Sequence, residues 1–271
     1  MSNERDYVLG THDEEIQRLG LQHRVWKSRV LDAWTEVGVT EGSRVLDVGC
    51  GPGYASLDLA EIVGPQGLVL GVERSTRFLD FARRECQGRG FDQVRFLEAD
   101  LNGDVNFGGE FDVVWCRWVA SFVPSISRLL RHAHQALKSG GTLVFHEYVQ
   151  YATWQTIPKS PLVAEFVAEV MASWRAAGGE PDIAPTLLPA LPEAGFAIEE
   201  VTPILFAVSP KEYGWQWPRS FIMANLKRLV ETGRAREEWA QAVRQDFLRL
   251  ENTPGTYMLT PTLMQIVARR L

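Results

Sequence analysis

Residues 45–60 read VLDVGCGPGYASLDLA: a short apolar run, an aspartate, three glycines at alternate positions, then helical spacing. A chain that leaves a buried strand and enters a helix within five residues has no room for side-chain bulk, and glycine supplies the left-handed angles such a turn needs. The backbone N–H groups of the loop 49–53, with the positive helix end, then face whatever lies beyond the strand, an arrangement suited to an anionic group. Taken alone, the stretch also reads as a glycine-rich structural turn. Taken as a ligand loop, it predicts a βα unit that holds something by its main chain.

The surrounding pattern supports an α/β fold. Strand-like runs at 44–48, 68–73, 94–99, 111–116 and 142–146 alternate with helical stretches at 54–63, 77–87 and 126–137. Gly64-Pro65 stops the first helix and Gly140-Gly141 is expected to stop the last. Such alternation means a doubly wound, mostly parallel sheet with helices on both faces. Around this core (36–150) the texture changes. Residues 1–35 are helical and amphipathic, and 151–185 carry a loop and a helix with Val163, Phe166, Val167, Val170, Met171 and Trp174 on one face. Residues 186–206 read as helix, Gly195 stop and strand, 207–255 as helical and tryptophan-rich, and 256–271 end in a strand at 263–269. The expectation is one domain of 271 residues, with 186–206 and 256–271 completing the core and 151–185 and 207–255 inserted into it.

Three acids narrow the ligand. Glu73 ends the second strand about 20 residues after the loop, where a carboxylate accepts hydrogen bonds from ribose hydroxyls. Asp100 ends the third strand at the same edge. Asp47 stands two residues before the first glycine, where an unpaired carboxylate opposes a pyrophosphate and favours a cationic group. Each alone reads as a helix cap or a solvated strand end; together they mark one edge of one sheet. A dinucleotide loop wants G-x-G-x-x-G/A. Gly49, Gly51 and Ala55 fall loosely into a related register, but the third glycine is Gly53 and bulky Tyr54 follows. A zwitterionic nucleoside, carrying both carboxylate and ammonium, fits better.

The stretches VLDVGCGPGYASLDLA, GVERS, EADL and FDVVWCRWVASFVP together resemble the class I S-adenosylmethionine-dependent methyltransferases, most closely the small-molecule group around ubiquinone- and menaquinone-biosynthesis enzymes. The resemblance covers roughly residues 7–147 and is looser beyond 150. It implies a seven-stranded Rossmann-like sheet and S-adenosylmethionine as cofactor, with S-adenosylhomocysteine as product. It also implies roles: Gly49, Cys50 and Gly51 against the methionine part, Asp47 at its ammonium, Glu73 at the ribose with Arg74 stacked nearby, Asp100 at the adenine amino group and Leu101 along the ring. Arg117 would sit by the methionine end, or form a surface salt bridge. The N-terminal YVLG and LQHRVW resemble a lid in which Tyr7, Gln22 and Trp26 close over the cofactor; helix packing is the competing reading, and the one preferred for Trp26.

Methyl transfer from a sulfonium needs alignment and exclusion of water more than it needs a catalytic group. Where the nucleophile is a hydroxyl or amine a base helps, and the candidates are His146 and Glu147 at the end of the fifth strand, of which an extended segment presents only one to the crevice. His12 is a weaker candidate. No metal-ligand motif is present, and His132 and His134 fall two apart on a helix. No G-x-S-x-G elbow, no Asn/Asp-Pro-Pro-Tyr run after the fourth strand and no convergent cysteine trio point elsewhere. Of nine tryptophans, only Trp115 and Trp118 fall in the expected core; the other seven, with Trp215 and Trp217 densest, pack the added segments or wall an apolar pocket. The expected acceptor is a small, partly apolar or aromatic molecule, with O-, N- and C-methylation all open.

The net charge of −6 offers no polyanion-binding face; Ala268-Arg269-Arg270-Leu271 is the nearest basic run, and nucleic acid is not an expected partner. Cys50, Cys86 and Cys116 are an odd, sparse set suited to a reducing compartment. The charged start and the lack of a membrane-length apolar run make the cytoplasm the expected location, without membrane insertion. The oligomeric state is open, with a homodimer as the form considered. Two rival functions remain: a nicotinamide-dependent oxidoreductase, and a non-catalytic protein that binds S-adenosylmethionine.

Overall fold

The computed structural model describes residues 13–271; the expected sites at Tyr7 and His12 lie outside them. The elements are α1 (Asp13–Glu36), β1 (Arg44–Val48), α2 (Tyr54–Val63), β2 (Leu68–Glu73), α3 (Thr76–Arg89), β3 (Val94–Glu98), β4 (Phe111–Arg117), α4 (Ile126–Ala136), β5 (Leu137–Gln150), β6 (Gln155–Ile157), α5 (Pro161–Ala176), α6 (Ala184–Glu193), β7 (Phe196–Ile204), β8 (Ala207–Val208), α7 (Gln216–Glu231), α8 (Glu237–Glu251), β9 (Tyr257–Leu259) and β10 (Thr262–Arg270). The chain falls into two compact units. One comprises 26–147, 183–202 and 264–271; the other, in its described part, comprises 13–25, 148–182 and 203–263.

The first unit is built on a seven-stranded sheet in the order β3-β2-β1-β4-β5-β10-β7. The pairs β1–β2, β1–β4, β2–β3 and β4–β5 are parallel, so the C-terminal ends of five strands share one edge. Strand β1 is buried from its second residue to its last, as a central parallel strand covered on both faces must be. Its Val45 joins Val30, Ala33, Trp34, Ala55, Leu59, Val69, Val113, Trp115 and Val144 in one core cluster. Serine caps start the helices: Ser75 accepts from the Phe78 N–H and Ser125 from the Arg128 N–H, each at 3.3 Å. Gly64 and Gly90, both left-handed in φ, end α2 and α3.

The glycine pair expected to stop α4 does something else. The helix ends at Ala136, and Leu137 is already extended and paired with Phe111. From Phe111–Leu137 to Val113–Thr142 the register advances two residues in β4 and five in β5. Gly140, at φ 72°, therefore belongs to a bulge, the place a left-handed glycine serves in a sheet. Burial of Leu137 against β4 overrides the local stop signal.

In the second unit α5, α7 and α8 pack on one another, and a small sheet runs β6-β9-β8 with antiparallel pairing. Ser160 caps α5, accepting from the Val163 N–H at 3.0 Å, and Pro161 opens the helix. Its interior is aromatic. Trp154 lies against Tyr151, Phe166, Trp217 and Phe221 with ring centroids 5.3–6.4 Å apart. Two tryptophans expected among the added segments belong instead to the sheet unit: Trp34 meets Trp115 and Trp26 meets Trp118, each edge-on at 5.4 Å. Residues 256–263, expected with the core, fall in the second unit.

Candidate functional site

The parallel register gathers the chemistry-bearing residues. Asp47 lies opposite Gly71 and Trp115, Glu73 opposite Glu98, and Arg117 opposite His146. Beyond β1 the chain turns through Gly49, Gly51 and Gly53, with φ of 65°, 54° and 80°. A Cβ on Gly49 would stand 2.3 Å from a Val119 methyl, and one on Gly53 would stand 2.7 Å from the Ala82 Cβ; at Gly51 nothing lies within 4 Å. Close approach and backbone angle both require glycine at the first two, whereas Gly51 borders open space. The Cys50 N–H is held by the Val72 carbonyl at 2.9 Å. Gly53 is the N-cap of α2 and supplies no side-chain acceptor.

Asp47 is only 3% exposed. The Ser56 hydroxyl donates to its Oδ2 at 2.6 Å. Burial lifts the carboxyl to about 6, opposed by the Ser56 bond and the Arg117 guanidinium and assisted by the charge of Glu73. The carboxylate is thus paired, not bare as the sequence suggests, yet held where a neighbouring cation would strongly favour its ionised form. Glu73 is 7% exposed. Its Oε1 accepts N–H bonds from Arg74 and Ser75 at 2.8 and 2.9 Å, and its Oε2 accepts one from Gly51 at 3.2 Å. Burial raises its pKa against those three bonds. Three of the roughly four lone-pair positions of a carboxylate are occupied, leaving room at Oε2 for a hydroxyl donor.

Asp100 is exposed just past β3, its Oδ1 accepting the Asn102 N–H at 2.9 Å, and half-buried Leu101 follows it. Arg74 is exposed. Arg117 is half-buried, its guanidinium carbon 4.9 Å from the Trp118 ring centroid. Trp118 itself adopts φ 56°, a conformation that a bulky residue keeps only where its surroundings over-determine it.

His146 and Glu147 are both fully buried. His146 Nε2 meets Gln265 Oε1 at 2.9 Å, while Gln265 Nε2 donates to Glu36 Oε2 at 2.8 Å. The Glu36 carboxylate fixes the Gln265 amide so that its oxygen faces the histidine. His146 therefore carries its proton on Nε2, and its Nδ1 lone pair is buried with no hydrogen-bond partner among the described residues. Burial pushes this imidazole down to about 4, so it is neutral. Glu147 Oε1 accepts the Val119 and Ala120 N–H groups, both at 2.8 Å, and Oε2 accepts the Ser121 hydroxyl at 3.2 Å. Burial carries its pKa up to about 7 despite these bonds.

The expected residues thus divide. Asp47, the glycine loop, Glu73, Arg74, Asp100, Leu101, Arg117, His146 and Glu147 share the strand-end edge of the sheet unit. Gln22 belongs to the other unit, where its Oε1 accepts from Arg18 at 3.0 Å and from Trp217 Nε1 at 3.1 Å. Ser56, Val119 and Gln265 escaped the sequence reading. A serine in the first turn after the glycines and a lone glutamine inside LMQIVA were the available signals for two of them; nothing marked Val119. The three cysteines are free and buried, and burial pushes the Cys50 and Cys116 thiols up, leaving them unreactive. Among the described residues there is no metal-binding group of His, Cys, Asp and Glu, and no helix is long and apolar enough to cross a membrane.

Comparison with known proteins gives this edge a context. A family model described as a methyltransferase domain matches residues 39–188. The demethylmenaquinone methyltransferase of Geobacillus kaustophilus is 27% identical over 72% of this chain and 87% of its own length. That of Lactococcus lactis is 29% identical over 45% of this chain, which spans about half (48%) of the relative's length. The geranyl diphosphate C-methyltransferase of Streptomyces coelicolor, crystallised with S-adenosylhomocysteine, shares the fold with a TM-score of 0.59 at 16% identity, over 92% of this chain and 77% of that one.

Proposed function

The chain belongs to the methyltransferase-domain family, in its class I S-adenosylmethionine-dependent form, and from that premise we propose that it methylates a small, partly apolar acceptor. The observation that carries this reading is the grouping of a glycine loop and two buried carboxylates, Asp47 and Glu73, at one sheet edge. When bound, the cofactor supplies a methyl carbon made electrophilic by its sulfonium. The open space beside Gly51 suits the methionine part, and Asp47 suits its ammonium. Oε2 of Glu73 suits a ribose hydroxyl, and Asp100 with Leu101 suits the adenine. A pyrophosphate would meet Asp47 as a like charge, which disfavours a dinucleotide.

The named relatives act on demethylmenaquinone and geranyl diphosphate, both small and partly apolar; that is the support for the acceptor class. Of the two buried groups near the end of β5, we assign the acceptor-side role to His146. It is neutral, and its Nδ1 lone pair can accept a hydrogen bond from an acceptor hydroxyl or amine. A group that protonates only near 4 orients a proton better than it removes one, so alignment provides most of the rate. We place the reaction in the cytoplasm, in keeping with three unpaired thiols.

Titration calorimetry with S-adenosylmethionine, S-adenosylhomocysteine, NAD and NADP tests the reading. The first two should bind and the dinucleotides should not; the reverse result would overturn it. His146→Ala should slow turnover and leave S-adenosylhomocysteine affinity unchanged.

A further inference from the structure

The segment after β4 has an unusual anchor. At the last pair of the β4–β5 ladder, Arg117 faces His146, so Glu147 is the first residue of β5 beyond it. There β4 ends and its chain bends away through Trp118 in the left-handed region into a short helical turn, Ala120–Phe122. The Val119 and Ala120 N–H groups at the start of that turn have no strand partner. Glu147, fully buried, takes both on one oxygen and the Ser121 hydroxyl on the other. Val119 is also the residue whose side chain stands where a Gly49 Cβ would be, with three of its carbons within 3.3 Å of that position.

We propose that Glu147 is a positioning residue for cofactor binding: its carboxylate fixes the Val119–Ser121 turn, and Val119 in turn braces Gly49 of the ligand loop. The inference rests on the cofactor reading above and assigns to Glu147 a part other than that of a base. Among the described residues, all its hydrogen bonds are accepted from the turn. The protonated acid serves the same geometry, because its Oε2 hydroxyl can donate to Ser121 while Oε1 keeps both N–H bonds. An amide reproduces that pattern atom for atom. Here a general base and a brace part company, since glutamine replaces the brace and cannot replace the base.

The test compares Glu147→Ala, Glu147→Gln and Val119→Ala in the full chain, by S-adenosylhomocysteine calorimetry and by amide hydrogen exchange at Cys50, Gly53 and Ala120. Glu147→Ala should weaken S-adenosylhomocysteine by about tenfold or more, as the loss of hydrogen bonds to a charged group does, and should speed exchange at all three amides. Glu147→Gln should recover most of both. Val119→Ala keeps the carboxylate and its bonds to the turn, so it tests the brace even where Glu147→Ala fails to fold; it should speed exchange at Cys50 and Gly53 but not at Ala120. The proposal is overturned if Val119→Ala leaves Cys50 and Gly53 unchanged. It is equally overturned if Glu147→Gln loses turnover while keeping S-adenosylhomocysteine affinity and exchange rates, the signature of a base. If the wild-type protein binds no S-adenosylhomocysteine, the cofactor reading fails, and the exchange data still decide whether Glu147 braces the loop.

Discussion

The two compact units bury different things. In the sheet unit the buried polar groups Asp47, Glu73, His146 and Glu147 gather at strand ends, and each is held by a named partner: Ser56, the Gly51–Ser75 amides, Gln265, and the turn after β4. In the other unit rings bury rings, as where Trp215 stacks on Phe247 at 5.4 Å, and the buried charges cancel locally, as where Arg18 forks onto Glu15 at 2.7 Å through two nitrogens. Desolvated carboxylates are costly, and a fold keeps several at one edge only where something offsets them. Aromatic packing needs no such offset. The contrast marks the sheet edge as the place where buried charge is concentrated, and it can be broken at several points.

The largest effect should come from matched glycine substitutions. Gly49 and Gly178 both have positive φ, but a Cβ at Gly49 meets Val119 at 2.3 Å and one at Gly178 meets nothing within 4 Å. Gly178→Ala, in the helical unit, should cost only the left-handed penalty of about 1–2 kcal/mol. Gly49→Ala adds overpacking, for roughly 3 kcal/mol or more in all, and should abolish S-adenosylhomocysteine binding. Chemical denaturation measures both; equal costs would mean that the loop is not braced.

Next in size, Glu73→Ala and Asp100→Ala should each weaken S-adenosylmethionine binding by about 1–3 kcal/mol, the worth of a charge-assisted hydrogen bond. The Glu73 variant should also lose stability, because three backbone N–H groups lose their acceptor, whereas exposed Asp100 holds only one. Unchanged affinity in both would displace the cofactor from this edge.

What could be read in advance follows the same division. Strand β1 and helix α2 were legible to the residue, because a buried parallel strand and a glycine-bounded helix are local patterns. The acids at the strand ends were legible because parallel strands bring their C-termini to one edge. Their partners were not. His146 meets Gln265 119 residues away, and Val119 meets Glu147 28 residues away; such pairs depend on sheet order, which no local period encodes. The end of α4 was misplaced for the same reason, since the pairing of Leu137 with Phe111 decides it. In the helical unit the apolar face of α5 was legible, but not which rings would meet.

A smaller effect, about 1.4 kcal/mol per pH unit, concerns Asp47. Its pKa is raised to about 6 in the free protein, where only Arg117 and the Ser56 bonds oppose burial while Glu73 adds to it. A ligand ammonium binds the ionised form, so the proton must leave before or with binding. S-adenosylhomocysteine affinity should be flat above about pH 6 and fall nearly tenfold per unit below it. The sign for stability is opposite to the usual carboxylate case. The folded protein holds this proton more tightly than the unfolded chain, so stability falls as pH rises from about 4 to about 6. Asp47→Asn should flatten the affinity profile and remove this share of the stability change, leaving the share that Glu147 adds up to about pH 7; calorimetry and denaturation from about pH 4 to about pH 8 would show it.

The smallest expected change bears on the helical unit. Gln22 accepts one hydrogen bond from Arg18 and another from the Trp217 indole, all within that unit. Its removal takes an acceptor from two donors that are mostly buried, and at a half-buried site this should cost about 1 kcal/mol of stability. If the contribution of Gln22 is this packing, Gln22→Ala lowers Tm by a few degrees and changes S-adenosylhomocysteine affinity by less than about twofold. A residue closing over the cofactor behaves the other way, losing affinity by about tenfold with little change in Tm. Measuring both on one variant separates an internal support of the aromatic unit from a lid, and the second outcome would move part of the binding site out of the sheet edge.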